Sequence, residues 1–139
     1  MKRLVLDVDD TLCRTENGQY HESVVIEPVR ERLLYYREAG FEIVLYTSRN
    51  VRTFAGNVGK INARTLPALV RWLDANHIPY DEIIVGKPWC GHEGFYVDDK
   101  AIRPDEFAAL NYEEIHALLR AADERMRAHA VLQGGAGES

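Results

Sequence analysis

The sequence predicts an α/β fold built on a small, mostly parallel sheet, and three observations carry that reading. Short apolar runs with β-branched members recur along the chain: RLVLDV (3–8), EIVLY (42–46), EIIV (82–85) and FYV (95–97). The segments between the first three include stretches with apolar residues three and four positions apart, the helical period. Strand and helix therefore alternate, which implies parallel strands joined by right-handed crossovers.

Each element has a local reason. RLVLDV reads as a buried strand. EPVRERLLYYREA (27–39) reads as an amphipathic helix: Pro28 fits the first turn, Val29, Leu33 and Tyr36 form the apolar stripe, and Gly40 stops it. EIVLY is the second strand. A second helix is expected from Thr65 to His77, with Pro67 in its first turn and Leu66, Leu69, Val70 and Leu73 facing inward. EIIV is the third strand and FYV the fourth. The last helix starts at Asn111, where Asn111 and Glu114 have capping-box spacing, and carries Ile115, Leu118, Leu119 and Met126 on its apolar face. Residues 1–130 are expected to form a single domain, and the Gly-rich tail, 131–139, is expected to be disordered.

Composition narrows the function. The chain has 139 residues, 46% hydrophobic and 28% charged, enough for one domain with a real core. A net charge of -5 argues against nucleic acid and anionic membrane surfaces as partners. No apolar run reaches the length of a membrane span, and the run after Lys2 and Arg3 is cut by Asp7, too short for a signal peptide. Cys13 and Cys90 make no CxxC motif, so a reduced, cytoplasmic setting is the expectation.

In parallel α/β sheets the ligand crevice lies at the carboxyl ends of the strands. Here those ends carry Asp7, Asp9, Asp10 and Thr11, then Thr47, Ser48 and Arg49, then Gly86 and Lys87, then Asp98 and Asp99. Strand ends are wet, so one polar end means little; four with complementary chemistry mean more. Three carboxylates within four residues repel and raise one another's pKa, which calls for a cation or for open solvent. Residues two apart on a strand share a face, so Asp7 and Asp9 can address one group.

These residues resemble the haloacid dehalogenase (HAD) superfamily. DVDDT (7–11) matches its DxDxT motif after a hydrophobic strand, LYTS (45–48) its second motif, Lys87 in VGKP its third and YVDD (96–99) its fourth, in the family's order. LYTSRN, GNVGKIN and KPWCGHEGFYVDDKAIRPDEF are similar to small bacterial HAD proteins linked to capsular polysaccharide biosynthesis. The resemblance implies a Rossmann-like, three-layer sandwich and a phosphatase that works through an aspartyl-phosphate. By it, Asp7 is the nucleophile and Asp9 the general acid/base. Mg²⁺ is held by Asp7, the backbone carbonyl of Asp9 and Asp98, with Asp99 bound through water or orienting Lys87. Lys87 would shield the nucleophile, and Thr47 would bind a phosphate oxygen. Ser48, Arg49, Asn57 and Lys60 are candidates for the substrate side; Arg49, Arg52, Asn57 and Lys60 could equally be solvated loop residues.

Several readings stay open or bland. Lys60 competes with Lys87 for the third motif, and Lys87 is preferred because it directly follows a strand. Asp10 turns the chain, Thr11 fixes that turn, and His92 is a surface histidine. Trp72 packs its helix, whereas Trp89 could wall the pocket.

Only about 35 residues separate Thr11 from Thr47, which leaves no room for a cap domain. The site is then open unless a second copy of the chain covers it. Residues 86–94 are too few for a helical crossover, but about eight extended residues reach some 26 Å, so an extended loop is expected there. The substrate expected is a small phosphorylated metabolite, a sugar or polyol phosphate of surface-polysaccharide synthesis. Transfer to an acceptor other than water would use the same residues. A phospho-receiver signalling domain is the alternative of another class, disfavoured because strand three ends in Gly86 and Lys87 with no Asp.

Overall fold

A computed structural model of the chain describes residues 1–16 and 18–138, with side chains described as far as residue 130. The chain forms two compact units, Met1–Gly94 and Phe95–Ser139. The single domain expected over 1–130 spans both.

The first unit holds the sheet. Strand β1 (Arg3–Leu6) is followed by a two-residue ladder, β2 (Cys13–Arg14) with β3 (Val24–Val25), and a 3-10 turn at Tyr20–Glu22 lies between those two. Then come α1 (Glu27–Glu38), β4 (Glu42–Thr47), α2 (Val58–Arg64), α3 (Leu66–Ala75) and β5 (Glu82–Val85). The parallel sheet has the order β1-β4-β5, with Leu6 beside Leu45 and Thr47 beside Val85. Both crossovers step in the same direction. Right-handed connections therefore lay α1 and the α2–α3 pair on one face. Consistent with that, Arg30 on α1 donates to the Asn76 carbonyl just past α3, at 2.7 Å.

The core gathers where sheet and helices meet. Ile43, Val44 and Leu45 of the central strand are buried, as are Val29, Leu33 and Tyr36 of α1 and Leu69 and Leu73 of α3. Each aliphatic side chain taken out of water contributes about 1.5–3 kcal/mol. Helix α1 keeps Pro28 in its first turn and is followed by Gly40 at φ +89°. Asp81 pins β5 into place: its carboxylate accepts from Arg37 at 2.6 Å and from the Ile43 N–H at 2.8 Å.

The sequence leaves one helix of this unit unread. GNVGKIN, expected as loop, holds the start of α2: Asn57 caps it by accepting from the Lys60 N–H at 3.1 Å, and Ile61 is buried beneath it. The interval between Thr47 and Lys87 thus holds two helices, and the helix expected over 65–77 covers Leu66–Ala75. No inserted domain interrupts either crossover among the described residues, as the spacing implied. Residues 87–94 form no helix, as expected, but the loop is bent rather than extended: Gly91 sits at φ +81° and the chain folds back so that Gly94 lies against the Cys90 carbonyl.

The second unit contains α4 (Pro104–Ala109) and α5 (Tyr112–Glu138). Before α4, the Glu106 carboxylate accepts from the Arg103 N–H at 2.8 Å. The capping box expected at α5 is present: Asn111 N–H meets Glu114 Oε1 at 3.0 Å, and Glu114 N–H meets Asn111 Oδ1 at 2.9 Å. The run FYV, expected as a fourth strand, forms none. Three residues are at the short limit for a strand, and Phe95, Tyr96 and Val97 are all exposed rather than held in a ladder. Of the tail expected to be disordered, the backbone is helical to Glu138, while its side chains and Ser139 lie outside the described residues.

Candidate active site

Asp7 is the first residue past β1, and the chain turns immediately after it. The buried Val8 supplies the carbonyl for the turn, accepting from Thr11 N–H at 3.2 Å and Leu12 N–H at 2.8 Å. Asp10 sits at φ +60° and donates its N–H to the Cys13 carbonyl at 2.7 Å. Short polar residues tolerate that left-handed geometry. The Asp10 side chain is exposed, 3.8 Å from Arg14, so this carboxylate turns the chain, as the sequence suggested.

On one side of the site, Asp7 meets Lys87. Gly86 lies at φ +82°, and a Cβ there would come within 3.0 Å of Val58 Cγ2, so glycine suits both the backbone and the space. The Lys87 N–H then donates to the Thr47 carbonyl at 3.1 Å. The Lys87 ammonium is 3.8 Å from Asp7 Oδ1 and 5.9 Å from the centre of the Tyr46 ring. Burial pushes the Asp7 carboxyl above its ordinary range. Lys87 and a hydrogen bond with the Val8 backbone pull it down, and Asp9 and Asp10 add to the rise. Burial is the largest of these effects, so the nearby ammonium does not fully offset the lost hydration.

On the other side, Asp9 is gripped from several directions. Arg49 donates Nη2 to Asp9 Oδ1 at 2.8 Å and Nε to Oδ2 at 3.1 Å, a bidentate fork with the guanidinium almost wholly buried. Thr15 donates to Oδ1 at 2.9 Å and shares a 2.7 Å hydrogen bond with Ser23. The Cys13 thiol lies 3.8 Å from the same oxygen. The Tyr20 ring packs over the Arg49 guanidinium at 4.4 Å, a cation–π contact. Burial raises the Tyr20 phenol above its ordinary range, and a hydrogen bond with the Asn50 backbone works against that rise.

The other expected residues fall into two groups. Thr47 is fully buried, and its Oγ1 accepts the Arg49 N–H at 3.0 Å, bending the chain so that Arg49 turns back toward Asp9. Ser48 is half-buried next to it. Asn57 and Lys60 lie on the exposed start of α2, and among the described residues no hydrogen bond or ion pair joins either to Asp7 or Asp9. His92 stacks edge-on against Trp89 at 5.8 Å and lies 3.4 Å from Arg52. Asp98 and Asp99 belong to the second unit, where Asp98 accepts from the Lys100 N–H at 2.8 Å.

Thr15, Ser23, Tyr20 and Arg71 were not singled out from the sequence. Thr15 and Ser23 flank the 3-10 turn in an ordinary polar stretch, and only their meeting at Asp9 marks them. Arg49 was expected against substrate; in the structure its first partner is Asp9. Trp72 does pack, donating Nε1–H to the Ser23 carbonyl at 3.1 Å, and it also walls a cavity of about 370 Å³ with Tyr20, His21, Arg49, Ala68 and Arg71.

The donors around Asp7 suit a hard divalent cation. A carboxylate held above its ordinary range by burial gains from added positive charge, and its oxygens are of the type that Mg²⁺ takes. Among the described residues no three His, Cys, Asp or Glu side chains gather to hold a metal ion. An ion bound by one or two carboxylates, a main-chain carbonyl, water and substrate phosphate is the pattern Mg²⁺ ordinarily accepts.

The fold and this site define an α/β protein whose acidic first loop meets a basic residue just past the end of β4 and another just past the end of β5. Among solved structures, a Vibrio cholerae protein superposes with a TM-score of 0.85 at 54% sequence identity, covering 87% of this chain and 98% of that one. The chain belongs to the same family as that protein. Two chains of Pnkp1/Rnl/Hen1 RNA repair complexes also match: one at 20% identity and TM-score 0.45 over 60% of this chain and 25% of that chain, the other at 19% and 0.48 over 78% and 34%. At that distance the likeness carries no argument about activity. No protein-family model and no curated protein matches the sequence.

Proposed function

We propose that the protein is a Mg²⁺-dependent phosphomonoesterase of HAD type that works through an aspartyl-phosphate on Asp7. The observation that supports this best is the pairing of unlike environments at one strand end. Asp7 is a half-buried carboxylate with an ammonium 3.8 Å away, and Asp9, two residues on, is locked by a buried guanidinium.

A carboxylate attacks without first losing a proton. Asp7 forms the new bond to phosphorus while the bond to the leaving oxygen breaks. Lys87 is placed to offset charge on Asp7 and on the phosphoryl oxygens, where electrostatics does most of the work. Asp9 must enter this step protonated, with one oxygen released from the Arg49 fork, and gives that proton to the leaving oxygen. It then takes one from the water that attacks phosphorus and frees Asp7. Arg49 and Thr15 hold Asp9 in one orientation for both steps. Thr47 acts through Arg49, whose N–H it anchors. When bound, Mg²⁺ supplies charge neutralisation between the anionic nucleophile and the phosphate; Asp7 and the Asp9 carbonyl would hold it. Asp98 and Asp99 enter this proposal from the sequence resemblance alone.

A small phosphorylated metabolite is the proposed substrate class, with a sugar or polyol phosphate of surface-polysaccharide synthesis the finer reading from resemblance. The test is phosphate release from p-nitrophenyl phosphate. Wild type should require Mg²⁺ and stop with EDTA, and Asp7→Asn should lose at least about a thousandfold in kcat. Full activity in Asp7→Asn removes the nucleophile from the account. Stable phosphorylation without turnover points to the receiver reading instead.

A further inference from the structure

We infer that the cavity beside Arg49 is a subsite for a second anionic group of the substrate, either a carboxylate or another phosphate. This rests on the phosphatase reading and names its substrate class: a phosphomonoester whose small carbon skeleton bears a further acid.

The geometry is as follows. The cavity of about 370 Å³ is lined by Tyr20, His21, Arg49, Ala68, Arg71 and Trp72. That volume falls in the range of small-ligand sites. Its lining contains two guanidiniums and an imidazole, and no carboxylate. The charge of Arg49 is already met by Asp9. Arg71, on the exposed surface of α3, has no hydrogen bond or ion pair among the described residues. It is therefore the cation of the cavity that a ligand can claim, and the planar arginine fork fits carboxylate or phosphate oxygens.

The walls are held in place. The Trp72 ring is fixed by its bond to the Ser23 carbonyl, and the Tyr20 ring lies over the Arg49 guanidinium. Two rigid aromatic rings and Ala68 offer apolar surface to a carbon skeleton between its two acidic ends. Arg49 joins the subsite to the reaction, because the residue that orients Asp9 also lines the cavity. A substrate whose phosphoryl group sits at Asp7 and Asp9 would meet this cavity at one residue's remove.

The test compares kcat/KM for fructose bisphosphate, phosphogluconate and fructose monophosphate. Wild type should prefer at least one of the first two over the neutral sugar monophosphate by about tenfold or more. Whichever is preferred identifies the second acid as phosphate or carboxylate. Arg71→Ala should collapse that ratio to within threefold, Arg71→Lys should keep a reduced preference, and Arg64→Ala, which removes a charge from α2 outside the cavity, should leave the ratio as in wild type. A wild-type ratio near one, or an unchanged ratio in Arg71→Ala, overturns the subsite. If no phosphomonoester turns over, calorimetry of fructose bisphosphate binding decides separately. Binding weakened at least tenfold in Arg71→Ala keeps the subsite while the phosphatase reading falls; equal binding, or none to wild type, overturns it.

Discussion

The Asp7 and Asp9 sides of the site contrast sharply although only Val8 separates them. Asp7 has the Lys87 ammonium at 3.8 Å, and burial keeps its carboxyl raised. Asp9 has a bidentate arginine, a threonine hydroxyl and a nearby thiol, with a tyrosine ring packed on the arginine. The first arrangement leaves charge uncompensated and a carboxylate open to a cation and a phosphoryl group. The second fixes orientation. In the proposed mechanism the nucleophile uses the former, and the group that would meet first a leaving oxygen and then a water uses the latter.

Breaking the fixed side should have the largest effect on stability. Arg49→Ala leaves Asp9 without its fork and opens a gap under Tyr20. Because Asp9 is partly exposed, the stability cost should be about 2 kcal/mol rather than the full penalty of a deeply buried pair. Turnover should fall about a hundredfold, mostly in kcat, and Arg49→Lys should recover little because an ammonium cannot replace the fork. Denaturant melts and steady-state kinetics on the same samples measure both. Removing only the hydroxyl is a finer cut: Thr15→Val should cost about 1 kcal/mol and about tenfold in kcat, with KM nearly unchanged.

The open side yields the smallest effect on stability, of opposite sign. The folded-state Asp7 carboxyl is raised above its ordinary value of 3.8, so its contribution to stability is full below that value and is lost as pH rises through the raised one. At neutral pH without metal, the ionised Asp7 therefore costs stability. Asp7→Asn should melt a few degrees higher than wild type there, with the gap closing toward pH 4. Adding Mg²⁺ should raise wild type and leave Asp7→Asn nearly unmoved. A lower melting temperature for metal-free Asp7→Asn would contradict the contrast between the two sides.

The contrast also shows what the sequence could reveal. Asp7, Asp9 and Lys87 were legible because strand runs ending in polar residues converge at one edge of a parallel sheet, wherever the loops go. The parallel sheet followed from the same alternation, whereas its order, β1-β4-β5, did not. The Arg49–Asp9 fork joins residues forty positions apart through a bend set by the Thr47 hydroxyl, and no local pattern encodes it. Helix α2 escaped notice because two glycines weaken its helical signal, although Asn57 before Val58 and Ile61 is a cap followed by apolar positions at helical spacing. FYV misled because β-propensity describes a fit to a half-buried pleated surface, and these three residues are exposed.

The central claim is that Asp7 carries the phosphoryl group. Rapid quenching of wild type during turnover of p-nitrophenyl phosphate with Mg²⁺, followed by borohydride reduction and peptide mass spectrometry, tests it directly. The account predicts reduction of the Asp7 side chain to an alcohol, dependent on substrate and absent at Asp9 and Asp10. Steady phosphate release with Asp7 unmodified, or reduction at Asp9 instead, would contradict it.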